Sequence, residues 1–202
     1  CIGPAGESKV LFSTIMDEDR AAGRCGAGAV MGSKNLLAIA VKGSRKIEAA
    51  HPEKFREAIR KAMKAVREDP NTGGFKEHGT VGDIASCDLL GDWPTQNWRS
   101  NSWGKGEELY NYFYENNLVG NFGCYSGCPV GCGRMVKVDE GRFKTPVHGG
   151  AEYESITAFT AFVTNDNMDA AVHSDYLCNE YGIDTISMGA VIAFAMECYE
   201  KG

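Results

Sequence analysis

The chain has 202 residues, 43% hydrophobic and 24% charged, the balance of a soluble globular protein with room for one sizeable core or two small ones. Its net charge of −6 excludes a nucleic-acid-binding surface, because neutralising phosphates takes clustered Lys and Arg. No apolar run approaches the ~20 residues of a membrane span, and no signal peptide opens the chain.

The chain starts at Cys1 without an initiator methionine and stops at Gly202 straight after a helical pattern, so it reads as a piece of a longer protein. Val10 to Met16 alternates and is rich in β-branched and aromatic residues, which predicts a strand after the Gly3-Pro4-Ala5-Gly6 turn. Asn35 to Val41 predicts a second, buried strand. The run between them, Arg20 to Lys34, is rich in glycine and carries Arg20, Arg24 and Lys34. Exposed amides and guanidinium groups favour an anion, so this run is a candidate phosphate cradle, against the plainer alternative of a tight loop beside a sheet. Its spacing fits neither a P-loop nor a dinucleotide fingerprint.

From Pro52 to Asp69 the period becomes helical, with Phe55, Ala58, Ile59, Ala62, Met63 and Val66 on one face, and Pro70 to Gly74 predicts its end. Residues 75–106 read as an irregular excursion whose Trp93, Trp98 and Trp103 pack beneath a long loop or line an entrance. Glu107 to Leu118 predicts a helix leading directly into a cysteine loop. Beyond that loop come a short strand at 135–138, a turn at 139–142 and a helix over 152–163. A further helix spans 167–181 and is closed by Gly182. The last runs from Thr185 to Lys201, N-capped by Asp184, and its all-round apolar residues predict burial. The predicted class is α+β, with a β-containing piece over 1–48 and a mainly helical one over 49–202.

The chemistry concentrates in Gly123-Cys124-Tyr125-Ser126-Gly127-Cys128-Pro129-Val130-Gly131-Cys132-Gly133-Arg134. Thiolates are the ligands of iron–sulfur clusters, and small neighbours let a backbone wrap closely round inorganic sulfide. A disulfide framework, a structural zinc site and incidental core cysteines are the rivals. Zinc normally shows two separated ligand pairs, and no second CxxC or HxxxH is present. Cys124, Cys128 and Cys132 are therefore candidate cluster ligands. The other cysteines (Cys1, Cys25, Cys87, Cys178, Cys198) are scattered as in a reducing cytoplasm. Glu154, near the start of a predicted buried helix, is a candidate general acid or base, or else a carboxylate favoured by the helix dipole. His51, His78, His148 and His173 show no metal spacing.

Several segments carry a resemblance. IGPAGE at 2–7, DRAAGR at 19–24, GAVMGSKNLLAIAV at 28–41 and CPVGCGR at 128–134 closely resemble the tungsten-containing aldehyde:ferredoxin oxidoreductases. So do EYES at 152–155, LCNEYGIDTIS at 177–187 and IAFAMECYEKG at 192–202. The resemblance implies the end of a β-rich, pterin-binding N-terminal domain followed by a mainly α-helical cluster-binding domain. It implies oxidation of a small aldehyde to a carboxylic acid at a tungsten or molybdenum held by two pyranopterins. Electrons would leave through a 4Fe–4S cluster to ferredoxin or another electron-transfer protein. Arg20, Ala21, Gly23 and Arg24 would contact the pterin and its phosphate, with the Ala21 carbonyl near a bridging magnesium. Asn179, Gly182, Ile183 and Asp184 would form one pterin-binding segment, Asp184 bonding the ring, and Glu154 would transfer a proton at the metal. The implied setting is the cytoplasm, in a homodimer or with electron-transfer subunits. The chain departs from the family pattern in a longer first cysteine spacing and in Asn179 where the family has aspartate. His173 stands where dimeric members carry a glutamate for an intersubunit metal, so that metal is not implied here. A related tungsten subunit of a benzoyl-CoA reductase, or a non-catalytic iron–sulfur electron-transfer module, are the alternative functions.

Overall fold

The computed structural model describes residues 1–45 and 47–202. The short helix α1 (Pro4–Glu7) and the antiparallel pair β1 (Ile15–Asp17) and β2 (Arg20–Ala22) open the chain, followed by α2 (Ala27–Ser33). Helix α2 occupies the glycine-rich run, where a loop was expected. A Cβ at Gly28 would stand 2.5 Å from Thr14 O, and one at Gly32 would collide with Gly6 O. These two glycines serve helix-to-backbone contact rather than a phosphate cradle.

The strand expected over Val10 to Met16 is reduced to its end, because Leu11 and Phe12 turn and the Ser13 neighbourhood joins the far end of the chain. Thr14 N donates to Gly182 O at 2.8 Å, Asp184 N donates to Phe12 O at 3.0 Å, and Ser13 bridges Ile183. The strand expected at 35–41 is absent. That stretch makes one cross-chain bond, Ile2 N to Leu37 O, and its side chains are exposed, Val41 to 90%. Among the described residues it has no neighbouring strand with which to form a ladder, and extended backbone without a ladder is not a strand.

Helix α3 (Pro52–Glu68) forms as the period predicts, but none of its residues is buried, and Phe55 and Ile59 face outward. Pro70 does not end structure. It opens α4 (Pro70–His78), with the Asp69 carboxylate accepting from Asn71 N, since proline suits the first helical position. The expected excursion likewise contains α5 (Asp83–Leu90). Helix α6 (Gly106–Tyr112) passes through a π-turn over 113–117 into β3 (Leu118–Phe122), so a strand rather than a helix enters the cysteine loop. β3 pairs antiparallel with β4 (Gly133–Val136), and β4 with β5 (His148–Gly149). Helices α7 (Tyr153–Phe159), α8 (Met168–Tyr181) and α9 (Thr185–Lys201) follow. The caps read from sequence are in place. Asn167 accepts from Ala170 N, Gly182 closes α8 in the left-handed region at φ 68°, and Asp184 accepts from Ser187 N. Burial of α9 is not: only Gly189 is buried, and Phe194 is 65% exposed.

The core lies where α5, α6, the central sheet, α7 and α8 meet, around Ile84, Trp93, Phe113, Val136, Ile156 and Met168. Trp93 is fully buried and donates Nε1–H to Thr157 Oγ1 at 3.0 Å, and Trp103 stacks beside it, while Trp98 is exposed. The packing reading therefore holds for two of the three tryptophans.

Asp88 of α5 organises this region. Its Oδ1 accepts from Ser102 Oγ, Trp103 N and Gly104 N, and its Oδ2 accepts from Gly106 N, the first N–H of α6. Burial pushes the Asp88 carboxyl upward, but its bonds to Trp103, Gly104, Gly106 and Ser102 outweigh it and hold the pKa below the usual range. Replacing Asp88 by Ala strands three backbone donors, so Asp88→Ala is expected to lower the unfolding free energy by about 3 kcal/mol in chemical denaturation. A lowered folded pKa gives stability that is present above the unfolded value of about 3.9 and is lost as pH falls through the folded one. Wild type should therefore lose this increment in acid, and Asp88→Ala should show a flatter acid limb.

Candidate functional site

An open cleft of about 220 Å³ lies between β2, the sheet edge and the junction of α8 with α9. Arg20, Ala21, Gly23, Asn179, Ile183 and Asp184 line it, joined by Asp19, Phe122, Gly150, Glu152 and Asp175 among others. Six of the residues singled out from sequence thus converge. Arg24 is exposed and outside the lining. Gly182 is a joint rather than a wall, with room for a Cβ blocked by Gly3 N at 2.9 Å.

Arg20 is the centre of this arrangement. Its Nη1 pairs with Glu152 Oε1 at 3.2 Å, and its guanidinium carbon sits 4.9 Å from the centroid of the Phe122 ring. A Cβ at Gly133 would come within 2.7 Å of Arg20 Nη2, so the missing side chain is what admits the guanidinium against β4. Arg20 Nε and Nη2 are shielded from solvent and have no hydrogen-bond partner among the described residues. Unpaired donors on a cation that lines a cleft suit an oxyanion such as a phosphate.

The carboxylates around it are largely committed. Asp19 Oδ1 accepts from Gly149 N, Glu152 Oε2 from Thr80 Oγ1 at 2.6 Å, and Asp184 Oδ2 from Ser187 N and Oγ. Asp184 Oδ1 faces Gly23, where a Cβ would stand 3.8 Å away, and is left for a ligand donor. Asp175 pairs with His148 at 3.7 Å, beyond hydrogen-bond reach, so the attraction is Coulombic. Burial pushes the His148 pKa down, but Asp175, the Pro146 carbonyl and the Asp19 charge outweigh it and the net shift is upward.

Glu154 is exposed on the first turn of α7 and is not part of the lining. The carboxylate that faces the cleft is Glu152, two residues earlier, which the sequence reading passed over. Nothing in the EYE pattern distinguishes the two, because only the direction of the helix start decides which one turns inward.

The cysteine loop joins β3 to β4. Cys124 is exposed, Cys128 and Cys132 are half-buried, and all three are free thiols. Among the described residues no group of three or more His, Cys, Asp or Glu side chains is arranged to hold a metal ion. The loop nonetheless has thiolate chemistry. The backbone amides of Gly131 and Val130, with that of Cys124 and the charge of Arg20, hold the Cys128 thiol below the usual range. Gly123 allows the loop to double back, since a Cβ there would stand 2.7 Å from the Cys128 Cβ. In the metal-free chain, alkylation of Cys128 followed by mass spectrometry across pH is expected to show a midpoint below the ~8.5 of a free thiol. A midpoint at or above that value would remove the polarising role of the loop amides.

No helix among the described residues is long and apolar enough to cross a membrane. The family model for aldehyde ferredoxin oxidoreductase, domains 2 and 3, matches residues 57–202, and that for the N-terminal domain of the same family matches residues 1–43. All of the chain aligns with the tungsten-containing aldehyde ferredoxin oxidoreductase of Thermococcus kodakarensis at 42% identity, and with that of Pyrococcus furiosus at 40%. In both cases it spans 33% of the relative. An aliphatic sulfonate oxidoreductase, WOR-like subunit, of Pyrococcus furiosus is 32% identical over the whole chain and 32% of its own length. Among solved structures, the active site complex BamBC of benzoyl-coenzyme A reductase with 1,5-dienoyl-CoA superposes with a TM-score of 0.75 at 25% identity, covering 100% of this chain and 32% of that one. The chain thus spans about a third of the length of the relatives it matches.

Proposed function

The chain belongs to the aldehyde ferredoxin oxidoreductase family, and from that premise we propose that the whole protein oxidises a small aldehyde and water to a carboxylic acid, passing two electrons to ferredoxin or another electron-transfer protein. The reading takes a tungsten or molybdenum bis-pyranopterin in the cleft, magnesium between its phosphates and a 4Fe–4S cluster on the cysteine loop. Its setting is the cytoplasm, as a homodimer or with electron-transfer subunits. The observation that carries it is Arg20, a residue of the cleft lining with two shielded guanidinium nitrogens that have no hydrogen-bond partner among the described residues.

When bound, the pterin-borne metal supplies the redox chemistry at which the aldehyde carbon loses its hydride equivalent. The chain's own residues orient and insulate. With the cofactor bound, Arg20 would hold a phosphate, the Ala21 carbonyl would serve the magnesium, and Asp184 Oδ1, which faces Gly23, would accept from a ring N–H. Asn179 and Ile183 form the adjoining wall. Gly182 sets the turn that presents them, and Arg24, exposed outside the lining, would reach the phosphate only by turning its side chain toward the cleft. Cys124, Cys128 and Cys132 are the cluster ligands, for which the loop must close further. Glu154 remains the proposed proton acceptor, with Glu152 as the group that fixes Arg20.

A second reading, the tungsten subunit of a benzoyl-CoA reductase, is favoured by the superposition on that complex. Activity on benzoyl-CoA with none on aldehydes would select it. Iron without tungsten, molybdenum or pterin in the holoprotein would instead indicate a non-catalytic electron-transfer module.

Arg20→Ala is expected to lower bound pterin and tungsten by about tenfold or more while the fold survives, from the loss of charge-assisted bonds, as read by released-pterin fluorescence and metal analysis. Cys128→Ser should abolish or reshape the cluster's EPR signal, and an unchanged signal would defeat the ligand assignment. Glu154→Gln should cost about 10²- to 10⁴-fold in kcat with metal retained. Full activity would return Glu154 to a structural role.

A further inference from the structure

One buried polar pair beside the cleft is left unused by the function above. Asp175 is 3% exposed and His148 8% exposed, in contact through α8 and β5. Asp175 Oδ2 lies 3.3 Å from Asn179 Nδ2, one helical turn along the same face of α8, and the same Nδ2 reaches Gly149 O at 3.5 Å. Two acceptors on one amide nitrogen fix which way the amide points. Its NH2 is turned onto these two acceptors; Asn179 lines the cleft, and among the described residues its Oδ1 accepts no hydrogen bond. The backbone makes room for this: Gly150 has φ 144°, and a Cβ there would collide with Asp175 Oδ2.

We propose that Asp175, braced by His148, is a positioning residue that locks the Asn179 amide with its oxygen toward the cleft, so that the site selects a ligand offering an N–H donor at that edge. The proposal rests on the reading that a pterin occupies the cleft and adds what makes that edge an acceptor. An unlocked amide could turn its NH2 to the same ligand, and the preference between a donor and an acceptor there would vanish. With the lock, a ligand edge bearing a lone pair is rejected because it meets another lone pair.

A reciprocal exchange in the holoenzyme tests this. Asn179→Asp sets a second carboxylate against Asp175 and is expected to cut retained pterin by about tenfold or more, because like charges at this spacing repel. The double variant Asp175→Asn/Asn179→Asp restores a donor–acceptor pair with the roles reversed and still presents an oxygen to the cleft, so it should recover most of the pterin. Asp175→Leu, which keeps bulk and removes the lock, should not. Pterin per protein is measured by fluorescence after oxidative release, with thermal unfolding midpoints checking that each variant is folded. Full retention in Asn179→Asp, or no recovery in a folded double variant, would overturn the lock. Wild-type holoenzyme without pterin would overturn the underlying reading of the cleft instead.

Discussion

The arrangement depends on one guanidinium group. Arg20 leaves β2 and meets three separate parts of the chain: Phe122 at the end of β3, Gly133 at the start of β4 and Glu152 just before α7. None of these neighbours alone would hold a cation in place. The aromatic face and the carboxylate each satisfy part of it, and the glycine leaves the space it fills. What they leave over is two shielded donors without a hydrogen-bond partner among the described residues. A shielded cation with unmet donors is costly unless something anionic completes it, so the same contacts that fix Arg20 also define what the cleft must accept.

The cleft's acids are consistent with that. Asp19, Glu152, Asp175 and Asp184 all border it, and a naive count of charge would predict repulsion of an anion. Each carboxylate, however, is committed to holding backbone or side-chain donors of the wall itself: Gly149 N, Thr80 Oγ1, the Asn179 amide and the first turn of α9. Their charge is largely spent on orientation. The cationic edge is confined to Arg20, while Asp184 and Asn179 supply acceptor oxygens elsewhere in the lining, so the cleft wall is not uniform in charge.

How much of this was readable beforehand follows from the range over which each signal acts. The α8–Gly182–Asp184–α9 corner was legible in full, because an N-cap, a left-handed glycine and a following N-cap are decided by neighbours in sequence. The glycine-rich run was legible only in part: Arg20 and Gly23 line the cleft, but Gly28 and Gly32, as suited to a phosphate loop as to close contact, let α2 touch the backbone at Gly6 and Thr14. Apolar periodicity in α3, in α9 and at 35–41 stated which residues favour burial but not what would cover them: within the described residues α3 and 35–41 stay exposed, and α9 is covered only along its first half, where Gly189 meets Ala158 of α7 and Met188 packs on the core. Six cleft residues were found through resemblance, while Glu152 and Asp175 were not. A carboxylate two positions from another, or one turn from an amide, has no sequence signature of its own.

Arg20 stands between the cysteine loop and the cleft, over the Phe122 ring just before the loop and in the cleft lining itself. The Cys128 thiol is held below the usual range chiefly by the Gly131 and Val130 amides, and the Arg20 charge adds the smallest contribution. Filling one side then alters the other. An anion seated on Arg20 offsets part of the charge felt at Cys128 and makes its thiolate less favourable, whereas a cluster that draws negative charge onto the thiolates strengthens the competition for the same guanidinium. Glu152 moderates both, because its ion pair with Arg20 absorbs part of the positive charge before either ligand arrives. Two redox groups placed on either side of such a cation would not be independent: the potential of each would depend on the charge of the other through a residue that touches neither metal.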